Sequence, residues 1–213
     1  MELTEENLRQ IIRQVLQENS DPNRIPIGVS NHHIHLTKED FHTLFPGQEM
    51  EVFKPLKQPN EFASKQKVDI VGPKGEIKGV RVLGPCRSHS QVEIARSETF
   101  GIGVDAPIRL SGHLDGAPSV KLRTKDGEVT VQGVIAAKRH IHMSLEDAER
   151  FGVKLGDSVS VEIDSPERKT IYSDVIARPR KDFVLEMHLD TDEASAANVG
   201  PNTFGRIIPN PNE

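Results

Sequence analysis

Hydrophobic positions divide the chain into one helical stretch and a long succession of alternating ones. Leu3, Leu8, Ile11, Ile12, Val15 and Leu16 recur at helical spacing, and the pattern stops before Asn19-Ser20-Asp21-Pro22-Asn23. Residues 3–18 are therefore expected to form an amphipathic helix within an N-terminal extension over 1–20, with residues 21–24 as a polar linker. From Ile25 onward the period is two. Val68-Asp69-Ile70-Val71 leads through Gly72-Pro73-Lys74-Gly75 into a strand over 77–83; residues 120–122 and 129–131 flank Lys125-Asp126-Gly127-Glu128; residues 159–163 precede a strand over 170–176. Each pair reads as a β-hairpin. Many short strands punctuated by 14 prolines predict a mainly β fold of two small antiparallel β-barrels capped by short helices.

The pattern is also duplicated. His33-Ile34-His35-Leu36-Thr37-Lys38-Glu39-Asp40 returns 107 residues later as His140-Ile141-His142-Met143-Ser144-Leu145-Glu146-Asp147. Thr37 and Ser144, each with a carboxylate three residues on, predict helix N-caps, so both His pairs stand where a strand gives way to a helix. A second alignment at constant offset lays Gln91-Val92-Glu93-Ile94 on Glu186-Met187-His188-Leu189. The expected division is 25–115 for the first barrel half and 116–213 for the second, related by internal duplication and open to strand exchange between them. An active site between the halves follows from that arrangement.

Residues i and i+2 of a strand share a face, so each His-x-His presents two imidazoles about 6–7 Å apart along the strand. Glu93 and His188 then supply a third donor in each half. The predicted metal ligands are His33, His35 and Glu93 in the first half and His140, His142 and His188 in the second. Three protein ligands with an open position is the pattern of catalytic zinc, and a chain with one Cys cannot build closed thiolate sites. Imidazole with carboxylate suits zinc first, and other divalent metals such as cobalt, nickel or iron by ligand type.

Composition narrows the alternatives. Aromatic residues are 4% of the chain and tryptophan is absent, so the cores must be aliphatic. A net charge of −5 supplies no basic field, and no nucleic-acid partner is expected. There is no apolar run near 18 residues and no signal-peptide pattern, so no membrane span and a cytoplasmic location are expected. The Gly84-Pro85-Cys86-Arg87 turn projects Arg87 six residues before Glu93, and an arginine fork beside a metal suits a phosphate or carboxylate. Ser111, in a polar turn, is a second phosphate-binding candidate. Cys86 reads either as a thioester nucleophile or, preferably, as a small packed residue. Gly101-Ile102-Gly103 lacks the spacing of a phosphate-binding loop and reads as a turn. The helix over 3–18 reads equally as a terminal helix packed on its own domain and as a docking helix on a tether.

Ile25-Pro26-Ile27-Gly28-Val29-Ser30-Asn31-His32-His33-Ile34-His35-Leu36, the Leu83-Gly84-Pro85-Cys86-Arg87 turn, Arg139-His140-Ile141-His142-Met143 and Met187-His188-Leu189-Asp190-Thr191-Asp192-Glu193-Ala194 closely resemble the PduL-type phosphotransacylases, the phosphate propanoyltransferases. The resemblance runs from about Ile25 to Val199. It implies two β-barrels, two zinc ions on the ligand sets above, and conversion of a short-chain acyl-CoA and phosphate to an acyl phosphate and CoA. It further implies that Arg87 grips phosphate as the catalytic arginine, and that Gly28, Val29, Ser30, Lys54, Arg81, Leu83 and Ser195 contact CoA. Ser195 stands where the family has asparagine, a departure at one CoA contact. Some members carry an amphipathic N-terminal extension that directs them into bacterial microcompartments and promotes self-association, and others lack a compartment and act in the cytoplasm. Residues 1–20 resemble such an extension, which implies shell or lumen partners and a homo-oligomer. The rival readings are a dizinc acyl-CoA thioesterase, in which hydroxide replaces phosphate, and a non-catalytic double-barrel module held together by metal.

Overall fold

The computed structural model describes residues 21–209; the helix expected over 3–18, in the extension over 1–20, lies outside them. The first part of the chain forms β1 (Ile25–Ser30), β2 (His33–His35), α1 (Lys38–Leu44), β3 (Val52–Pro55), β4 (Phe62–Val71), β5 (Glu76–Gly84), β6 (Gln91–Ile94), α2 (Arg96–Ile102) and β7 (Ile108–Arg109). It continues through β8 (Ser119–Arg123), β9 (Glu128–Gln132), β10 (Val134–Ala137), β11 (His140–Met143), α3 (Leu145–Phe151), β12 (Ser158–Ile163), β13 (Thr170–Pro179), β14 (Glu186–Asp190), α4 (Thr191–Ala196) and β15 (Phe204–Ile208). The hairpins predicted from alternation are β4/β5, β8/β9 and β12/β13. The predicted N-caps form: the Asp40 amide donates to Thr37 Oγ1 at 3.1 Å and the Asp147 amide to Ser144 Oγ at 3.0 Å, satisfying amides that a helix start otherwise leaves unpaired.

The fold is mainly β, with one closed barrel and one open sheet. Strands β1, β14, β11, β13, β12 and β15 close the barrel; the others form a nine-stranded half-barrel in the order β7-β10-β6-β2-β5-β4-β8-β9, with β3 on β4. Each surrounds its own aliphatic core, Ile34, Val68, Ile70, Val82, Val92 and Leu122 in one, and Ile25, Ile141, Val161, Ile163, Met187 and Leu189 in the other. Each such side chain contributes about 1.5–3 kcal/mol by leaving water. Two separate aliphatic cores are what a chain of this length without tryptophan can build.

One expectation is corrected. The pairing is not purely antiparallel: β1/β14, β11/β13, β2/β5, β6/β10 and β7/β10 are parallel. Strands are exchanged across the 115/116 boundary: β1 joins the barrel of the second half while β8, β9 and β10 join the half-barrel of the first. The exchange is reciprocal and keeps register. Ile27 pairs with Met187 and Gly28 with His188, while Val134 pairs with Val92 and Ile135 with Glu93. Each strand entering a His-x-His thus pairs with the third-ligand strand of the opposite sheet. Parallel pairing needs a crossover rather than a hairpin, and here the chain crosses between sheets at Asn31-His32 and Lys138-Arg139. Both ligand pairs therefore begin at the seam between the two bodies.

Candidate metal and phosphate site

Strand register builds both ligand sets. On antiparallel β2/β6, His33 lies opposite Glu93 and His35 opposite Gln91; on antiparallel β11/β14, His140 lies opposite His188 and His142 opposite Glu186. The predicted third donors therefore meet the histidines at the same lattice position in each half. In both sets the three ligand atoms lie within 4.8 Å of one another. The imidazole pairs are closer than an ideal strand spacing, with ring centroids 5.1 Å apart for His33 and His35 and 4.7 Å for His140 and His142. Edge-to-face rings turn their nitrogens towards one point.

The donor chemistry fits a divalent cation. His33 Nδ1 donates to the Asn31 carbonyl and His140 Nδ1 to the Lys138 carbonyl, each at 2.8 Å, which leaves the Nε2 lone pair of each ring facing inward. Such hydrogen bonds orient metal-binding imidazoles. His140 Nε2 lies 3.0 Å from His142 Nε2, and His33 and His35 Nε2 lie 3.5 and 4.0 Å from Glu93 Oε1. Burial, reinforced by His188 for one ring and by His140 for the other, lowers His140 to about 3 and His142 to about 2. They are therefore unprotonated at neutral pH, as ligands must be. Burial works against the Glu93 carboxylate, but the charge and hydrogen bond of His33, with His35 and Ser111, hold it well below the usual carboxylate range. Burial likewise pushes His35 down, while Glu93 and the Asn31 carbonyl outweigh burial at His33 and raise it.

A polar chain leads from Glu93 to Arg87. Gln91 Nε2 donates to Glu93 Oε1 at 2.5 Å and to Ser111 Oγ at 2.6 Å; Arg87 Nη1 donates to Ser111 Oγ at 2.9 Å and Nη2 to Glu61 Oε1 at 3.0 Å. The loop holding Arg87 follows a cis Gly84–Pro85 peptide and is fastened where the Arg87 amide donates to the Leu36 carbonyl at 2.8 Å. Leu36 directly follows His35, so fork and ligand pair share one anchor. Arg178, on β13 opposite His142, brings a second guanidinium. Its charge is felt by His140 and His142 in the barrel, and it in turn feels the charges of Glu93, Arg87 and Glu61 of the half-barrel. Lys57 Nζ lies 3.2 Å from Glu186 Oε1, Gln58 exchanges hydrogen bonds with the Val184 backbone at 2.9 and 3.1 Å, and Ser97 binds Asp192 at 2.6 and 2.8 Å. These bonds close the seam around the two sets.

The remaining predicted residues are placed as follows. Arg81 lies opposite His33 and Leu83 opposite His35 on β5. The Arg81 guanidinium donates to the Ser64 carbonyl and stacks 4.4 Å from the Phe53 ring, beside exposed Lys54 on β3. Gly28, Val29 and Ser30 end β1, and Ser195 is exposed on α4 with its carbonyl 3.4 Å from Arg168. Cys86 packs against the half-barrel core, and burial raises its thiol, which opposes a thiolate nucleophile. Gly101-Ile102-Gly103 ends α2, Gly103 being its left-handed C-cap at φ 75°. A cavity of about 430 Å³ near Lys65, Lys67, Asp69 and Arg123 includes none of the predicted site residues, and the donor clusters mark the chemistry better than that volume does. Residues missed by sequence reasoning are Glu61, Gln91, Arg178 and Glu186. Only Gln91 and Glu186 left a trace, as an aligned polar pair in the repeat.

Residues 26–200 match the family model for phosphate propanoyltransferase. The chain is similar to the phosphate propanoyltransferase of Levilactobacillus brevis, with 76% identity covering 97% of this chain and 99% of the relative. It is 50% identical to that of Thermotoga maritima, covering 92% and 95%. The one from Salmonella typhimurium is 46% identical, covering 97% and 99%.

Proposed function

The chain belongs to the phosphate propanoyltransferase family and is an acyltransferase; from that premise we propose that it moves a short acyl group reversibly between CoA and inorganic phosphate. The observation that carries the reading is the Arg87–Ser111–Gln91–Glu93 hydrogen-bond chain, which ties an anion-binding fork to one of two buried three-donor sets. Two zinc ions, one on His33, His35 and Glu93 and one on His140, His142 and His188, would supply Lewis acidity for the thioester carbonyl, its developing oxyanion and the departing thiolate.

The protein's own groups hold and aim the reactants. Arg87, braced by Glu61, and the Ser111 hydroxyl bind phosphate, and Arg178 adds positive charge from the opposite wall. A phosphate oxygen attacks the thioester carbon, the carbon–sulfur bond breaks, and the electron pair leaves with the CoA sulfur. No acyl-enzyme is needed, and Cys86 takes no part. Holding phosphate in line converts an encounter in solution into a step within one complex. Lys54 and Arg81 are suited to the phosphates of CoA, with Gly28, Val29, Ser30, Leu83 and Ser195 as further contacts.

Purified protein given acetyl-CoA or propanoyl-CoA is expected to release CoA only when phosphate is present, with acyl phosphate formed in equal amount. Release without phosphate would replace this reading with the thioesterase. No release from fully metallated protein would leave the non-catalytic module. Residues 1–20 are proposed as an encapsulation and self-association segment, placing the protein in the cytoplasm, in the lumen of a microcompartment, as a homo-oligomer. Deleting them is expected to leave kcat unchanged while reducing solution size and abolishing shell association; unchanged size and location would refute the role.

A further inference from the structure

The internal repeat aligns Gln91 with Glu186 as it aligns Glu93 with His188, and the structure gives the aligned pair one task. Side chains two apart on a strand share a face, so each of these residues stands beside the third ligand of its own set. Gln91 Nε2 donates to Glu93 Oε1 at 2.5 Å, and Glu186 Oε2 lies 2.8 Å from His188 Nε2. An ionised carboxylate only accepts. His188 Nε2 therefore carries a proton, and in the neutral ring that a metal ligand must be, Nδ1 is the nitrogen with the lone pair. This is the reverse of His33 and His140, whose Nδ1 atoms donate to backbone carbonyls two residues earlier. His188 is also the least buried of the three histidines, its side chain 26% exposed, so it needs a side-chain partner to stay aimed.

Glu186 is itself held from two directions. Lys57 Nζ, from the loop after β3, lies 3.2 Å from Glu186 Oε1, bringing a cation from the half-barrel onto the barrel's ligand strand. On the adjacent strand, a Cβ added at Gly28 would meet Glu186 Cδ at 2.9 Å. The missing side chain at Gly28 is the space the carboxylate occupies.

We infer that Glu186 is a positioning residue for the three-histidine set: it fixes His188 as the Nε2–H tautomer, orients its ring, and through Lys57 couples that set to the half-barrel, with Gly28 leaving it room. The inference rests on the reading that this set binds zinc. Outer partners of this kind are worth about 10- to 100-fold in metal affinity.

The test is the zinc affinity of the full-length protein, measured without CoA by chelator competition, together with the visible spectrum of its cobalt-loaded form. Glu186→Ala is expected to weaken one of two zinc ions by about 10- to 100-fold, to alter the cobalt spectrum and to leave the other ion unchanged. Glu186→Gln, whose amide oxygen still accepts from Nε2–H, should recover most of the loss, which a merely structural role would not allow. Gly28→Ala should resemble Glu186→Ala, because the added carbon meets the far end of a flexible side chain and displaces the carboxylate while sparing the backbone. Two zinc ions bound to Glu186→Ala with wild-type affinities would overturn the inference alone. A wild-type protein from which His142→Ala removes no ion would overturn the metal reading beneath it.

Discussion

Arg87→Ala is expected to fold, to bind metal as the wild type does, and to lose about 10²- to 10³-fold in rate, roughly 3–4 kcal/mol of transition-state stabilisation. The guanidinium has two of its five N–H groups committed, one to Ser111 and one to Glu61. The rest remain for an anion. Removing the side chain leaves the loop in place, because its anchor is the Arg87 backbone amide on the Leu36 carbonyl. Arg87→Lys should recover little, since an ammonium cannot reproduce a fork aimed at two acceptors. Kinetics at varied phosphate decide the matter: the loss should be greatest at low phosphate and accompanied by a raised KM for phosphate. A variant that kept most of its rate would remove Arg87 from the chemistry.

His142→Ala should lower the metal content from two ions to one per chain and the rate by roughly 10³-fold, as the loss of several kcal/mol of charge stabilisation implies. His142 lies opposite Glu186, packs edge-on against Phe183, and has its Nε2 3.0 Å from that of His140. Its removal opens the three-donor set and takes away a buried ring, so His142→Asn is the partner variant that keeps more of the volume. Elemental analysis read beside steady-state rates separates the effects. Metal lost with activity supports a catalytic ion. Metal lost with activity retained would show that this set is structural.

Local signals made much of the site legible. A strand period of two places His33 with His35 and His140 with His142 whatever the rest of the chain does, and Thr37 and Ser144 carry their capping chemistry in the next few residues. Glu93 and His188, aligned in the repeat, each lie opposite the first histidine of a pair because equivalent strands in a duplicated fold keep their register. Arg178 was not legible. It stands in a run of basic residues, and nothing local separates one that points at the seam from its solvated neighbours. Glu61 approaches Arg87 from 26 positions away, a distance at which sequence pattern carries no direction.

By itself the sequence determined the donor types, their grouping in threes, the duplicated frame and the mainly β architecture, because these follow from side-chain chemistry and from periodicity over a few residues. Only the tertiary structure decided which strands share a sheet. The exchange of β1 and β10 between the two bodies, the half-barrel left open, and the Lys57–Glu186 contact across the seam depend on pairings between distant segments. Local hydrophobic pattern is the same whichever sheet a strand joins, so the choice falls to the packing of two complete cores and the register of the strands that link them.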